Sequence, residues 1–134
     1  MKTQNEILTD IYQVVVTSPI NLLNGGVYKY TRPTDSELED CVLSITFGTI
    51  RKHLQDGFIF VKIFYNDIFA DNTYMQNTVN AQAKQILLYE LSELFFGMPD
   101  YHFDIRSRQI YSEPVKEIHQ HYAILKLSFE VTLI

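Results

Sequence analysis

The chain of 134 residues has no tryptophan, a single cysteine and no long apolar run. The lone cysteine, Cys41, rules out a disulfide within the chain and fits a reducing compartment. The first ten residues lack the apolar core of a signal peptide, and no apolar stretch reaches the length needed to cross a bilayer. We therefore expect a protein that is made and kept in the cytoplasm, with no membrane partner.

Basic residues are fewer than acidic ones: the chain has 11 Lys and Arg, 16 Asp and Glu, and a formal net charge of −5. Nucleic-acid-binding surfaces need clustered Lys and Arg to displace counterions from phosphates. Here only Arg51-Lys52-His53 and the pair Arg106 and Arg108 come close together, and both groups are typical of solvated charges. We expect no direct sequence-specific nucleic-acid binding.

No motif for catalysis or metal binding stands out. The Gly25-Gly26 pair lacks the further glycines, the lysine and the preceding strand of a phosphate-binding loop, so it predicts a turn. His119 and His121 would project from one face of a strand, but no third metal ligand is set by the sequence. We therefore predict no catalytic residue, no cofactor and no metal site.

Two further features that could suggest chemistry have a structural interpretation. Glu37, Glu39 and Asp40 form an acidic run between a polar loop and a strand, where solvated charges are usual. Cys41 begins an alternation of apolar residues, so we predict a small buried hydrophobe rather than a nucleophile.

Aromatic residues and regular alternation are what the chain has in abundance. Nine Tyr and nine Phe bring the aromatic content to 13%, which is favoured in strands and at protein interfaces. Residues 119–134 alternate apolar and polar, the period of a half-buried strand. The apolar side of this strand comprises His121, Ala123, Leu125, Leu127, Phe129, Val131 and Leu133. A strand of this length predicts a sheet with one solvated face.

The patterns predict a single domain over residues 1–134 with the element order α-β-β-β-α-β-β. The predicted elements are a helix over 4–17, strands over 27–32, 39 or 40 to 49 and 58–67, a long helix over 74–96, and strands over 103–115 and 119–134. The fold class is therefore α+β, with a mainly antiparallel sheet of about five strands packed by the long helix.

The long helix is expected to cover the third strand. Asn72 or Thr73 can cap its start, and Gly97 ends it. Its apolar stripe is predicted to comprise Val79, Ala83, Ile86, Leu87, Leu91, Leu94 and Phe95. The third strand is apolar on both faces, so it lies either beneath a helix or against a neighbouring subunit.

Several short motifs follow one another in an informative order. A first helix leads into a Gly-containing turn and a short strand that ends near a proline, at residues 24–33, and an acidic residue leads into a strand at 39–45. A hairpin, a long helix and a last strand introduced by a histidine, at 121–125, complete the order. Over most of the chain this order resembles the tail completion, or tail terminator, proteins of long-tailed bacteriophages and related prophages.

The resemblance implies a non-catalytic virion structural protein. Such a protein forms a ring, typically a hexamer, on the end of the tail tube, stops tube growth and offers a surface that docks to the head. Its implied partners are further copies of itself, the tail tube protein and head–tail connector proteins. Its implied location is the tail or neck of the virion, after synthesis in the host cytoplasm.

Particular residues are candidates for these contacts. Exposed apolar and aromatic strand faces suit ring contacts, and exposed apolar loop residues indicate a binding role. The candidates for the subunit interface are Phe58, Phe60, Phe64, Leu125 and Phe129. The candidates for contact with the tail tube are Arg51, Lys52, His53, Leu54, Ile68 and Phe69.

Other functions remain open from the sequence. A head–tail connector or adaptor ring would have similar size and charge. A stand-alone α+β binding module, such as an immunity or accessory protein, could use the same aromatic face. A small enzyme with a site assembled from scattered residues would show a deep pocket around His119 and His121.

Overall fold

A computed structural model describes residues 3–132 of the chain, except for the side chain of residue 116. It contains two α-helices, α1 (Gln4–Thr17) and α2 (Thr78–Phe96), and short 3-10 helices at Pro19–Leu22, Ile105–Ser107 and Lys116–Ile118. The strands are β1 (Val27–Lys29), β2 (Cys41–Phe47), β3 (Leu54–Asn66), β4 (Ile68–Ala70), β5 (Thr73–Met75), β6 (Tyr101–Phe103), β7 (Gln109–Val115) and β8 (Gln120–Thr132). The predicted α+β class is confirmed.

The main sheet has six strands in the order β1-β2-β3-β8-β6, and β7 also pairs with β8. Only β1 and β2 run parallel; the other pairs in this sheet are antiparallel. The first helix has its predicted bounds. The predicted strand over 103–115 is instead two strands, β6 and β7, separated by the 3-10 helix at Ile105–Ser107.

Strands β4 and β5 form a separate hairpin that the sequence analysis missed. Asp71 and Asn72 have φ angles of 52° and 59°, the left-handed pair that a two-residue hairpin turn requires. Asn72 therefore turns this hairpin and does not cap α2. The cap is Asn77, whose side-chain oxygen accepts a hydrogen bond from the Asn80 amide at 3.0 Å, so the helix begins at Thr78 rather than at residue 74.

A similar turn joins β2 to β3. Lys52 and His53 have φ angles of 46° and 72°, and the backbones of Arg51 and Leu54 exchange hydrogen bonds of 2.9 and 2.7 Å. Because the turn is this tight, β3 begins at Leu54, four residues before its predicted start.

Strand β1 is shorter than predicted. Tyr30 has a φ of 68°, a left-handed backbone conformation that ends β1 at Lys29 and not at residue 32.

The predicted apolar stripe of α2 is wrong for four of its members. Val79, Ile86 and Leu94 are 80%, 52% and 47% exposed, and Ala83 is also exposed. The residues that α2 buries are Ala81, Lys84, Leu88, Leu91, Ser92 and Phe95. Apolar residues lie on nearly all sides of this helix, so their spacing is compatible with two different apolar stripes. The small residues Ala81 and Ser92 let the buried side of the helix pack close to the sheet.

Alternate residues of the sheet form two faces with different surroundings. The covered face packs with the buried residues of both helices into one core and comprises Cys41, Leu43, Ile45, Ile59, Val61, Ile63, Tyr65, Ala123, Leu125, Leu127, Phe129 and Val131. The open face is on the other side and comprises Val42, Ser44, Thr46, Asp56, Phe58, Phe60, Lys62, Phe64, Tyr111, Glu113, Tyr122, Ile124, Lys126, Ser128 and Glu130. Within residues 3–132, neither helix contributes to the open face.

Candidate functional site

Aromatic side chains run along the middle of the open face. Phe58 is 40% exposed, and Phe60 and Phe64 are half-buried. The rings of Phe58 and Phe60 lie 6.5 Å apart, and Phe64 lies 5.6 Å from Tyr122 on the neighbouring strand. These positions are fixed by the register of β3 and β8, which pairs Phe64 with Tyr122 and Phe60 with Lys126.

Two lysines sit among these rings. The Lys126 ammonium lies 5.0 Å from the ring centre of Phe58, and the Lys62 ammonium lies 4.6 Å from that of Tyr122. Both contacts are in the range of cation–π attraction. Neither lysine forms an ion pair with a carboxylate among the residues that the structure describes. We call Phe58, Phe60, Lys62, Phe64, Tyr122 and Lys126 the aromatic row.

Arg32 covers one end of the aromatic row. Its guanidinium lies 3.6 Å above the Phe64 ring and pairs with the fully buried Asp40 at 3.1 Å. It also donates a hydrogen bond to the side-chain oxygen of Gln120. Burial lowers the pKa of Arg32, while the charge of Asp40 opposes that change. The network ties the loop after β1 to the start of β8.

The acidic run at residues 37–40 is therefore not a solvated patch, as the sequence suggested. Asp40 accepts hydrogen bonds from Arg32 and, at 3.0 Å, from the Gly26 amide. Glu39 binds the buried Lys84 of α2 at 2.7 Å. Of the three carboxylates, Glu37 is the exposed one. These carboxylates hold the fold together, since buried charges need partners.

Two residues predicted at the subunit interface lie elsewhere. Leu125 and Phe129 point to the covered face and are 0% and 2% exposed. The Phe129 ring packs 6.3 Å from those of Phe47 and Phe103. Because both side chains are enclosed in the core, neither offers surface to another molecule while the fold is intact. Phe58, Phe60 and Phe64 are the predicted interface residues that the open face presents.

The residues predicted to contact a tail tube lie at two opposite ends of the molecule. Arg51, Lys52 and His53 are exposed at the β2–β3 turn, with Leu54 half-buried beside them. Ile68 and Phe69, on the β4–β5 hairpin, are 44% and 60% exposed. The 13 residues of β3 separate the two groups, a distance of about 40 Å at 3.3 Å per residue. They form two sites, one at each end of the sheet.

The β4–β5 hairpin is held by stacked rings. Tyr74 stacks on His119 with 3.6 Å between ring centres and packs 4.9 Å from Phe69. The Asp67 amide donates to the His119 carbonyl at 3.0 Å. Met75 is 45% exposed at the same end. The hairpin thus presents exposed apolar side chains on a braced support.

The two histidines do not form a common site. His119 has a left-handed backbone and lies before β8, whereas His121 is within β8 and contacts Asp67 at 2.6 Å through Nδ1. Among the residues described, no group of three or more His, Cys, Asp or Glu side chains could hold a metal ion.

Cys41 and Tyr122 have raised pKa values. Burial, assisted by the charge of Asp40, raises the pKa of the Cys41 thiol to about 12, so the thiolate is scarce at neutral pH. Its predicted burial is confirmed at 1% exposure. Burial, assisted by a hydrogen bond to Glu113, raises the pKa of Tyr122 to about 12.

A cleft of about 550 Å³ opens near the β2–β3 turn, at the edge of the open face. Its walls include Asp56 and Phe58 from β3, His102 from β6, and Asp104 and Glu130. Sequence reasoning missed this cleft because β6 was not predicted as a separate strand. His119 and His121 are not among the residues that line it.

The sequence analysis also missed the lysines of the aromatic row. Alternation puts Lys126 on the polar side of the last strand and Lys62 on the same side as Phe58, Phe60 and Phe64, but it does not show that the lysines of one strand meet the rings of the other. No helix in the described part of the chain is long and apolar enough to span a membrane. Neither the protein-family models nor the curated proteins contain a match to this chain.

Proposed function

We propose that this chain is a virion structural protein that forms a ring at the end of a phage tail tube, ends tube growth and provides a surface for docking to the head. The element order that resembles tail terminators is one support. The observation that carries the proposal is the aromatic row, which lies on the face of the sheet that neither helix covers within residues 3–132.

The partial exposure of the aromatic row favours a protein partner. Large apolar patches on folded domains mark interaction sites, and aromatic residues are enriched in the cores of protein interfaces. Fully burying one Phe side chain stabilises a complex by about 1.5–3 kcal/mol before the costs of association. Phe58, Phe60 and Phe64 are already partly buried, so they supply part of the free energy of association and other contacts of the interface must supply the rest.

The two ends of the sheet fit a protein that joins two structures. The β2–β3 turn presents the basic residues Arg51 and Lys52 at one end. The β4–β5 hairpin presents Ile68 and Phe69 about 40 Å away. In a ring whose long strands run along the tail axis, one end would meet the tube and the other would meet the head. A net charge of −5 also suits a lumen through which DNA slides without binding.

Electron microscopy of particles from the phage or prophage with this gene deleted tests the proposal. Tails of uncontrolled length, or tails separate from filled heads, are the expected result. Tails of normal length that are not attached to filled heads would favour a head–tail connector or adaptor. Normal particles would contradict both roles and favour a stand-alone binding module that uses the open face.

A further inference from the structure

The side of α2 that faces away from the sheet carries a second uncovered apolar surface. Its residues recur at three- and four-residue spacing on the side opposite the buried Leu88 and Phe95. We call it the outer stripe, and its members are Val79, Ala83, Ile86, Glu90 and Leu94. Val79 is 80% exposed, a high value for an apolar side chain on a helix that already has a packed side.

The outer stripe is acidic as well as apolar. Glu90 is exposed and has no basic partner among the residues that the structure describes. The helix has one lysine, Lys84, which is 6% exposed on the buried side and paired with Glu39. The outer stripe therefore presents apolar side chains around an unpaired carboxylate.

The aromatic row has the complementary chemistry. Lys62 and Lys126 have no carboxylate partner in residues 3–132. The Lys62 ammonium lies over the Tyr122 ring, and the Lys126 ammonium lies over those of Phe58 and Phe60. The lengths also match. Phe58 to Phe64 spans about 20 Å of extended strand, and Val79 to Leu94 spans about 22 Å of helix.

We propose that the outer stripe of α2 in one copy docks on the aromatic row of the next copy, with Glu90 placed against Lys126 or Lys62. The occupant is a second copy of this chain, so the inference rests on the proposed function. The helix layer and the open face lie on opposite sides of one subunit, so the two surfaces meet only between copies. Contacts between two different surfaces are heterologous, and they build a ring when the rotation closes.

Disulfide cross-linking of introduced cysteines tests this pairing. Glu90→Cys and Lys126→Cys are made as single variants and mixed in equal amounts under a mild oxidant. The native Cys41 is 1% exposed with a pKa near 12, so it needs no replacement. Gln13→Cys, at an exposed position of α1, mixed with Lys126→Cys serves as the matched control.

We expect at least tenfold more covalent dimer in the mixture of Glu90→Cys and Lys126→Cys than in either variant alone or in the control mixture. The double variant should give a ladder of higher multiples. Dimer formation by Glu90→Cys alone at the same level would mean a symmetric helix contact and would overturn the pairing. A yield no higher than in the control, both with Lys126→Cys and with Lys62→Cys as the partner of Glu90→Cys, would overturn it too.

Gene deletion and an oligonucleotide-binding assay, combined with the cross-linking result, separate the pairing from the proposed function and from nucleic-acid binding. If deletion of the gene gives the expected tail defect but the mixture fails to cross-link, the pairing is wrong and the proposed function stands. If cross-linking succeeds while deletion leaves particles normal, the copies associate but do not end tails. Tight binding of a labelled single-stranded oligonucleotide that Phe60→Asp abolishes would assign the aromatic row to nucleic acid and overturn the pairing.

Discussion

The two faces of β3 carry apolar residues in similar number but differ in what meets them. Ile59, Val61 and Ile63 are 0% exposed on the covered face, whereas Phe58 on the open face is 40% exposed. The covered side chains are β-branched and stiff, which suits a fixed contact with a helix. The side chains of the open face are large rings interleaved with lysines, which suits a surface that is solvated in the free chain and becomes buried when a partner binds.

This difference separates stability from association. Burial on the covered face is complete within the chain, so substitutions there should act on folding. Apolar surface on the open face remains exposed in the single chain, so substitutions there should act on assembly. Substitutions on each face therefore test whether folding and assembly depend on different faces of β3.

The largest effect is expected from Phe129→Ala, on the covered face. The ring is 2% exposed and packs against Phe47, Tyr101 and Phe103. Its removal leaves a cavity and should lower the free energy of unfolding by about 3–5 kcal/mol. Phe60→Ala on the open face is the matched variant and should cost less than half as much. Urea denaturation of both proteins measures the difference, and equal losses would refute the comparison.

The next largest effect is expected from Arg32→Met, at the end of the aromatic row. It leaves the fully buried Asp40 without its charged partner, which should lower the free energy of unfolding by about 3 kcal/mol. Adding Asp40→Asn should recover part of the loss, because the buried charge is then gone. If the single variant is as stable as the native chain, the Arg32 network does not support the fold.

Phe60→Asp should have a smaller effect, and on association rather than folding. A carboxylate in the middle of the aromatic row would have to be desolvated in the interface. We expect self-association to weaken at least tenfold, about 1.4 kcal/mol, in sedimentation experiments. Phe60→Tyr should retain most of the affinity. Thr9→Asp, an exposed site on α1, controls for the added charge and should leave association unchanged.

The effect that is smallest at neutral pH is the titration of Cys41 and Tyr122 at alkaline pH. The pKa values of Cys41 and Tyr122 are both raised to about 12 in the folded chain, from ordinary values of 9.0 and 10.0. Their contribution to stability is therefore complete below about pH 9 and is lost as the pH rises through 12. Tyr122→Phe should make the decline above pH 10 shallower, as measured by urea midpoints. An unchanged slope would mean that Tyr122 contributes nothing there.

Regular periodicity explains which parts of the fold could be predicted from the sequence. The alternation along β8 correctly separated Ala123 and Leu125 from Tyr122 and Lys126. The β4–β5 hairpin was missed because its turn uses Asp71 and Asn72 without the glycine that usually marks such turns. The stripe of α2 was misassigned because Lys84, a charged residue, lies on the buried side, where only its pairing with Glu39 makes burial tolerable.

The candidate site was predictable only in part, for a related reason. Alternation identified Phe58, Phe60 and Phe64 as one face, but it carries no information on how strands pair. The register places Lys126, and not Leu125, directly opposite Phe60. A shift of one residue exchanges the two faces of a strand. For this reason Leu125 and Phe129 were assigned to a surface from which they point away.

In the proposed ring at the end of the tail, the open face of each copy is the interface with a neighbouring copy. Electron cryomicroscopy of the neck of intact particles tests that claim directly. We predict a ring of this chain between tube and head, with Phe58 and Phe60 of each copy covered by a neighbour. A neck that lacks the chain, or a ring in which the open face is exposed to solvent, would contradict the account.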